Sequence, residues 1–283
     1  MGVAYWRGVV RDGVRVPEDR TLGDLTAELT TMLGSPDPEV RDGVALQVLT
    51  VWIGRGVYDD LLAGLGDGMA AGLRVGIGET GTSTVFRRGW SARVLAHVLH
   101  RDQDEQLLPA EDVLRWGDRL TTYLLREQDV RGFIPGQGSA RALAHGADAL
   151  TALASSRHLG PLELTVLLDV IADRLVGGLA LDHNEPDHLA AATIAVLLRD
   201  RVPFDVVEPW VARIAVHADP ESAAPGVDPW THVRNTQSFL RSLHLQLLLG
   251  PHRPPTRADL VLVVGDALRT TNGQHLPRSV TEK

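Results

Sequence analysis

The sequence predicts an all-α fold, arranged as an irregular α-solenoid of antiparallel helical hairpins like those of HEAT and armadillo proteins. Apolar residues recur at helical spacing along most of the 283-residue chain. Prolines and capping residues separate these segments, and no convincing run alternates apolar and polar residues as a strand does. Short links between helices favour antiparallel hairpins, and stacked hairpins form solenoids. No repeat period near about 40 residues is visible, so a rounded helical bundle is the alternative.

The first half of the chain follows from its caps. Residues 1–20 are expected to form a loose N-terminal arm or a short strand-like arm, and a helix should run from Thr21 to about Leu33. Asp37 can cap the next helix, with Pro38 in its first turn, where a missing N–H costs nothing. Further helices are expected over about 58–73, from Thr82 or Ser83 to about His100, and from Pro109 to Glu127.

The second half is also predicted to be helical. One helix should begin near Gly138–Ser139 and run to about Ser155. Residues 166–176 are apolar on most sides, which indicates a helix at the centre of the core. A single domain over residues 21–270 is therefore expected, followed by a flexible tail over 271–283. Pro161 is expected to open a helix, and Pro203 and Pro209 mark the next pair of helices. PHRPP at 251–255 ends a long helix before a last one at about 257–269.

Composition narrows the possible functions. The chain has no cysteine, which removes disulfides, thiolate metal ligands and cysteine nucleophiles. Its net charge of −8 weighs against non-specific nucleic-acid binding, which depends on a basic surface. No apolar run approaches the roughly 18 residues of a membrane span, and the N-terminus lacks the apolar core of a secretory signal. We therefore expect a cytoplasmic protein with neither a nucleic-acid nor a membrane partner.

The stretch from Glu127 to Leu150, EQDVRGFIPGQGSARALAHGADAL, is the best candidate for a site. It gathers charged residues around a Gly/Pro-rich turn, and Arg88 is expected to pair with Glu127 or Asp129. In the helix predicted after the turn, three polar residues stand at i, i+4 and i+7, which is one stripe. The candidate polar centre, either structural or ligand-binding, comprises Arg88, Glu127, Asp129, Arg131, Arg141, His145 and Asp148, with Asn235 and Arg241 from a later helix.

Two histidine-containing patterns raise the question of a metal. His97 and His100 are i, i+3 neighbours, but such pairs are most often surface residues. The segment 181–188 is better explained as a polar loop leading into a helix, with Pro186 in the first turn. We therefore expect no metal and no cofactor. The polar side chains of that loop are Asp182, His183, Glu185, Asp187 and His188.

Several segments resemble a known family. GTSTVFRRGWSARVLAHVL at 81–99, YLLREQDVRGF at 123–133 and AHGADAL at 144–150 are similar to the bacterial family catalogued as "domain of unknown function 2785". Glu185–Leu189 and FLRSLHLQL at 239–247 resemble its C-terminal half, so the similarity covers roughly residues 20–250. The resemblance implies a HEAT-like, all-helical fold and brings no established activity.

One departure from the family pattern affects the candidate site. Members usually carry Gly-Trp-x-His just before A-H-x-A-D, whereas this chain has Gly138, Ser139, Ala140 and Arg141. The tryptophan and the first histidine are absent, and Arg141 places a guanidinium where the family has an imidazole. If the family uses a His-x-x-x-His-x-x-Asp stripe for a metal, this protein has lost one ligand.

Two classes of function remain open. The first is a binding or scaffold protein that presents a polar concave site around Glu127–Asp148 to a peptide, a protein partner or a small molecule. The lack of a complete catalytic motif favours it. The second is a hydrolase or lyase. In this case Asp129 or Asp148 acts as the base, His145 titrates near neutral pH, and Arg131 or Arg141 holds an anionic group. The sequence decides neither whether the protein is an enzyme nor what its oligomeric state is.

Overall fold

The computed structural model describes residues 2–222, 225–226, 228–273 and 275–276. The protein is all-α, as predicted, and is 68% helical, with one small sheet among the described residues. Of the predicted tail at 271–283, residues 274 and 277–283 lie outside the described residues. The helices are α1 (Val3–Arg11), α2 (Leu22–Met32), α3 (Gln47–Gly54), α4 (Leu62–Gly72), α5 (Thr84–Glu105), α6 (Ala110–Arg126), α7 (Ala142–Ala154), α8 (Pro161–Val176), α9 (Glu185–Leu198), α10 (Phe204–Val216), α11 (Pro229–Leu249) and α12 (Arg257–Thr271).

Shorter helical segments complete the chain. A π-helical segment, Glu39–Leu46, leads directly into α3, and 3₁₀ turns cover Asp59–Leu61 and Pro220–Ser222. Two of the predicted capping residues, Thr21 and Asp37, act as expected, whereas Ser83 before α5 makes no capping hydrogen bond with its side chain. The Thr21 hydroxyl accepts a hydrogen bond from the Asp24 N–H at 3.1 Å, and Asp37 Oδ1 accepts one from the Glu39 N–H at 2.9 Å. Each cap satisfies a backbone N–H that the first helical turn leaves without a partner.

The first residues form a helix where a loose or strand-like arm was expected. Trp6 of α1 is completely buried and its ring lies 6.2 Å from that of Trp52, centroid to centroid. The Trp52 Nε1–H donates to the Val14 carbonyl at 3.0 Å, which fixes the chain after the helix. The sequence missed α1 because one buried indole, and not a long apolar stripe, anchors it.

The helix predicted to begin near Gly138–Ser139 starts later, so that prediction was wrong at its start. Two short strands, β1 (Phe133–Ile134) and β2 (Gly138–Ser139), instead pair antiparallel. Gly136 and Gly138 have φ of +77° and +82°, which only glycine adopts freely, so the chain turns back on itself. Helix α7 then begins at Ala142, after the hairpin.

Contacts divide the chain into two compact units, Met1–Leu159 and Gly160–Lys283, where a single domain over residues 21–270 was predicted. Each unit has its own apolar core. In the first unit, α5 and α7 pack closely, and Gly89 approaches the backbone of Ala142 so nearly that a Cβ would lie 3.1 Å from its Cα. In the second unit, α9 packs against α11, and Ile171 of α8 and Phe239 of α11 are fully buried.

Candidate functional site

The centre of the first unit is a fully buried ion pair. Arg88 of α5 and Glu127, which follows α6, both have completely buried side chains. The Arg88 Nε–H donates to Glu127 Oε2 at 2.6 Å and an Nη2–H donates to Oε1 at 2.9 Å. This two-pronged geometry is the strongest that an arginine and a carboxylate can form. It confirms the predicted pairing of Arg88 with the Glu127 region.

The remaining donors of Arg88 hold the loop that precedes α5. Its Nη1 donates to the Val75 and Gly76 carbonyls at 2.9 and 2.8 Å and to the Thr84 hydroxyl at 2.9 Å. A buried guanidinium is tolerated only when its donors are used. Because Arg88 is satisfied by protein atoms, we interpret it as a clamp between two chain segments.

Asp129 continues the same network towards the surface. The Asp129 N–H donates to Glu127 Oε1 at 2.9 Å. The Asp129 carboxylate, in turn, accepts from the Gly81 N–H at 3.1 Å and from Arg131 Nη2 at 2.6 Å. Arg131, whose side chain is 33% exposed, also donates to the Thr82 carbonyl at 2.8 Å. Four of the predicted site residues are thus brought together, and they join the loop before α5 to the turn after α6.

The chemistry of Asp129 follows from these contacts. Burial raises the pKa of its carboxyl, but hydrogen bonds from the Arg131 side chain and backbone and from the Gly81 N–H more than offset burial, so the net pKa is lowered. A carboxylate with a lowered pKa and occupied lone pairs is a weak proton acceptor. Its geometry therefore favours a structural role over that of a general base.

The polar stripe predicted on the helix after the turn is not formed, because its first member, Arg141, lies outside the helix. Arg141 is the residue before α7 and has a left-handed backbone, with φ of +43°, so it does not share a helical face with the others. His145 is buried and its ring packs edge-on against Trp90, with centroids 4.6 Å apart. Asp148 is half-buried on α7. This part of the candidate site is therefore split between the end of the hairpin and the interior of the helix.

Arg41 is a buried arginine that sequence reasoning missed. It is completely buried, and its guanidinium carbon lies 4.2 Å from the centre of the Phe86 ring and 4.4 Å from that of Trp90. It donates to the Gln137 and Ser139 carbonyls of the hairpin at 3.1 and 3.4 Å. No local signal identifies it, because the hairpin is about a hundred residues away in sequence. The hydrogen bonds of Arg41 hold the hairpin, and its cation–π contacts attach it to α5.

The two predicted residues of the second unit play different parts. Asn235 is fully buried. Its Oδ1 accepts from the Leu181 N–H at 3.1 Å, and its Nδ2 donates to the Leu179 carbonyl at 2.7 Å, which pins the loop between α8 and α9. Arg241 is exposed on α11 and donates to Gln237 Oε1 at 2.8 Å and to the Asn272 side-chain oxygen. Asn235 is structural, whereas Arg241 reaches an open surface.

That surface is a groove between α10, α11 and α12, with a volume of about 1140 Å³. Trp230 and Val216, which are 60% and 64% exposed, lie along it. Sequence reasoning missed the groove because helical periodicity identifies buried faces, and a groove is formed by residues of separate helices that leave a space. The rest of its lining includes Glu208, Val211, Ala212, Ala215, Val233, Arg234, Gln237, Arg241, Val263, Asp266, Ala267 and Asn272.

The polar loop at 181–188 uses its acidic side chains in separate contacts. Asp182 pairs with Arg234 at 3.0 Å, Glu185 accepts from the His183 N–H at 2.7 Å, and Asp187 accepts from the Ser242 hydroxyl at 2.7 Å. Among the described residues, no three His, Asp or Glu side chains are grouped as a metal site requires. A membrane-spanning helix is likewise absent from the described part of the chain, where none is both long and apolar enough.

Comparison with known proteins identifies a family. The family described as "Protein of unknown function (DUF2785)" matches residues 73–245. The chain belongs to this family. The matched range contains every candidate residue named from the sequence, together with α10 and all but the last residues of α11, while α12 lies beyond it. No curated protein and no solved structure matches the chain.

Proposed function

We propose that this DUF2785 member is a non-catalytic binding protein that takes an apolar ligand into the groove of α10, α11 and α12. The observation that carries the proposal is the groove itself, a volume of about 1140 Å³ with the exposed indole of Trp230 on its wall. Exposed apolar surface in a concave site rimmed by polar residues is typical of a binding site. A ligand there would cover side chains that water now contacts.

The proposal moves the binding site away from Glu127–Asp148, where the sequence suggested it. Arg88, Glu127 and Asp129 satisfy one another and neighbouring backbone groups, so we assign them to holding loops in place. Arg241, also among the sequence candidates, lines the groove. We infer that the candidate set mixes a structural network in the first unit with one ligand-contacting residue in the second.

The hydrolase or lyase alternative gains less support. It requires a carboxylate able to accept a proton, and the lowered pKa of Asp129, one of its two candidate bases beside Asp148, opposes that role. It also requires an accessible imidazole, whereas His145 is buried against Trp90. Neither residue is arranged as an acid–base pair open to substrate.

We further propose that the helical hairpins are arranged as an irregular, HEAT-like α-solenoid and that the protein acts in the cytoplasm. Successive helices of solenoids leave grooves between them in which partners bind. This arrangement accounts for a groove that is formed by helices and not by a loop. It also agrees with the solenoid that short inter-helix links predict.

The proposal is tested with an apolar dye, Nile red, whose emission rises when it leaves water. Ala267 lines the groove, whereas Ala258 is exposed on the same helix outside it. We expect saturable dye binding to the wild-type chain and to Ala258→Trp, and loss of binding in Ala267→Trp, because the indole fills the space. Equal binding to all three proteins would show that the groove is not a ligand site.

A further inference from the structure

We infer that the occupant of the groove is an amphipathic helix of a partner protein, and that Arg241 pairs with an acidic residue on that helix. This inference rests on the proposed function and names its ligand.

Arg241 carries a positive charge that no neighbouring carboxylate among the described residues balances. Its partners, Gln237 Oε1 and Asn272 Oδ1, are neutral amide oxygens. Within the described residues, no carboxylate lies within ion-pair distance of it. Arg234, about two helical turns earlier on the same helix, is by contrast paired with Asp182 at 3.0 Å. An arginine held by amides at the edge of a groove is oriented and still available to a carboxylate of a ligand.

Another wall of the groove, formed by α10, carries a negative charge. Glu208 of α10 lines the groove and is exposed. It, too, has no basic partner within ion-pair distance among the residues that the structure describes. A ligand that complements both walls carries an acidic group towards α11 and a basic group towards α10. A peptide meets this requirement, whereas a simple fatty acid has no group for Glu208.

Several of the apolar side chains that line the groove are small. Ala212, Ala215 and Ala267 line the groove beside Val263. These side chains leave room for larger ones from a ligand, and the exposed Trp230 provides a flat apolar contact at one edge. Small residues on one side and leucine-sized residues on the other interdigitate as they do between packed helices.

The size of the groove admits a helix. Its volume of about 1140 Å³ is close to the upper limit of the roughly 300–1000 Å³ of typical small-molecule pockets, so the charges on its walls, and not its volume, favour a peptide. A helix with its side chains is about 10–12 Å across and inserts one apolar stripe, spaced i, i+3, i+4 and i+7, into such grooves. Opposite charges flanking that stripe would then meet Arg241 and Glu208.

The inference is tested with synthetic peptides of about 14 residues, built from Ala, Gln and a leucine stripe. The peptides form a series in which each one carries a single Glu at a different position beside the leucine stripe. The parent peptide of the series carries Gln at all of these positions. Binding to the full chain is measured by titration calorimetry. We expect one member to bind wild type about tenfold more tightly than the parent. This gain should vanish in Arg241→Gln and persist in Arg253→Gln, which changes an exposed arginine outside the groove.

A charge exchange guards against a variant that merely misfolds. Arg241→Glu should reject the selected Glu peptide and bind its Lys counterpart with the gain restored, which an unfolded chain cannot do. The inference is overturned if no peptide exceeds the parent, if the gain survives Arg241→Gln, or if the exchange restores nothing. If Nile red binding then still depends on Ala267, the proposed function stands and only the occupant is wrong; if it does not, both fail.

Two other occupants would also overturn the inference, and each has its own readout. A dimer that forms with rising concentration and is lost in Ala267→Trp would assign the groove to a second copy of the chain. A small apolar carboxylate would be the occupant of the groove if decanoate, but not decanol, displaces Nile red from the wild-type chain. In that case decanoate should fail to displace the dye from Arg241→Gln. Sedimentation velocity and dye competition measure these outcomes.

Discussion

At the scale of single residues, the buried arginines organise the first unit. Arg88 donates to the Glu127 carboxylate, 39 residues away in sequence, and Arg41 donates to the Gln137 carbonyl, 96 residues away. Neither arginine side chain is exposed. Burying such a charge is costly unless every donor is used, so each arginine stabilises only the arrangement that satisfies it. The pairing of Arg88 was predictable, since Glu127 stands beside a turn rich in charge, whereas no pattern in the sequence marks Arg41.

Removing Arg88 should destabilise the protein severely. Arg88→Ala leaves the buried Glu127 carboxylate without its partner, and we expect a loss of about 3–5 kcal/mol in the free energy of unfolding. Arg131→Ala should cost less, because Arg131 is partly exposed and water replaces some of its contacts. Urea unfolding followed by circular dichroism measures both.

The control for these variants is Arg269→Ala. Arg269 pairs with Asp266, and both side chains are largely exposed, so the expected cost is about 0–1 kcal/mol. If Arg88→Ala unfolds at the same urea concentration as Arg269→Ala, the network in the first unit does not stabilise the fold.

Asp129 should make stability depend on pH in the acid range. Its pKa is lowered in the folded protein, so its contribution is fully present above the unfolded value of about 4 and is lost as pH falls through the folded pKa. Asp129→Asn should therefore lower stability near neutral pH by about 1–3 kcal/mol and flatten its decline in acid. Urea unfolding across pH, with the exposed Asp60→Asn as the control, measures this; identical slopes for wild type and Asp129→Asn would refute it.

At the scale of elements, capping residues and apolar periodicity located the helices well. The prediction failed at a turn whose backbone path depends on glycines. Thr21, Pro109 and Pro161 mark helix starts through local chemistry that neighbouring residues in the sequence reveal. The β-hairpin before α7 was not predicted, because Gly136 and Gly138 permit several backbone paths and Arg41, distant in sequence, stabilises the observed one. Local patterns therefore predict elements until a long-range contact determines the turn.

The close packing of α5 on α7 gives a prediction of its own. A Cβ at Gly89 would lie 3.1 Å from Ala142 Cα and 3.4 Å from the Ala140 carbonyl oxygen, and both are backbone atoms that cannot move aside cheaply. Gly89→Ala should therefore destabilise by about 1–3 kcal/mol. Gly64→Ala, in the open on α4, should stabilise by about 0.5–1 kcal/mol through helix propensity. Thermal melts compare the two, and equal shifts of the same sign would contradict the packing argument.

At the scale of the whole molecule, the sequence predicted the fold class but neither the two units nor the groove. Helical periodicity reports which face of a helix is buried, and it is the same whether the helices share one core or two. The groove escapes for a related reason, because Ala267, Trp230 and Ala215 each read as ordinary helix residues. Only their placement around a common space gives them a shared role.

The division into units predicts that the second unit carries ligand binding by itself. Every residue lining the groove lies within Gly160–Lys283, and this unit has a core of its own, with Ile171, Phe239 and Leu240 fully buried. A fragment of residues 160–283 should therefore give a helical circular dichroism spectrum, melt cooperatively and bind Nile red within about threefold of the full chain's affinity, a difference below about 1 kcal/mol. The fragment 1–159 should fold without binding the dye at this site. A 160–283 fragment that is helical and cooperative but does not bind would show that the groove needs the first unit.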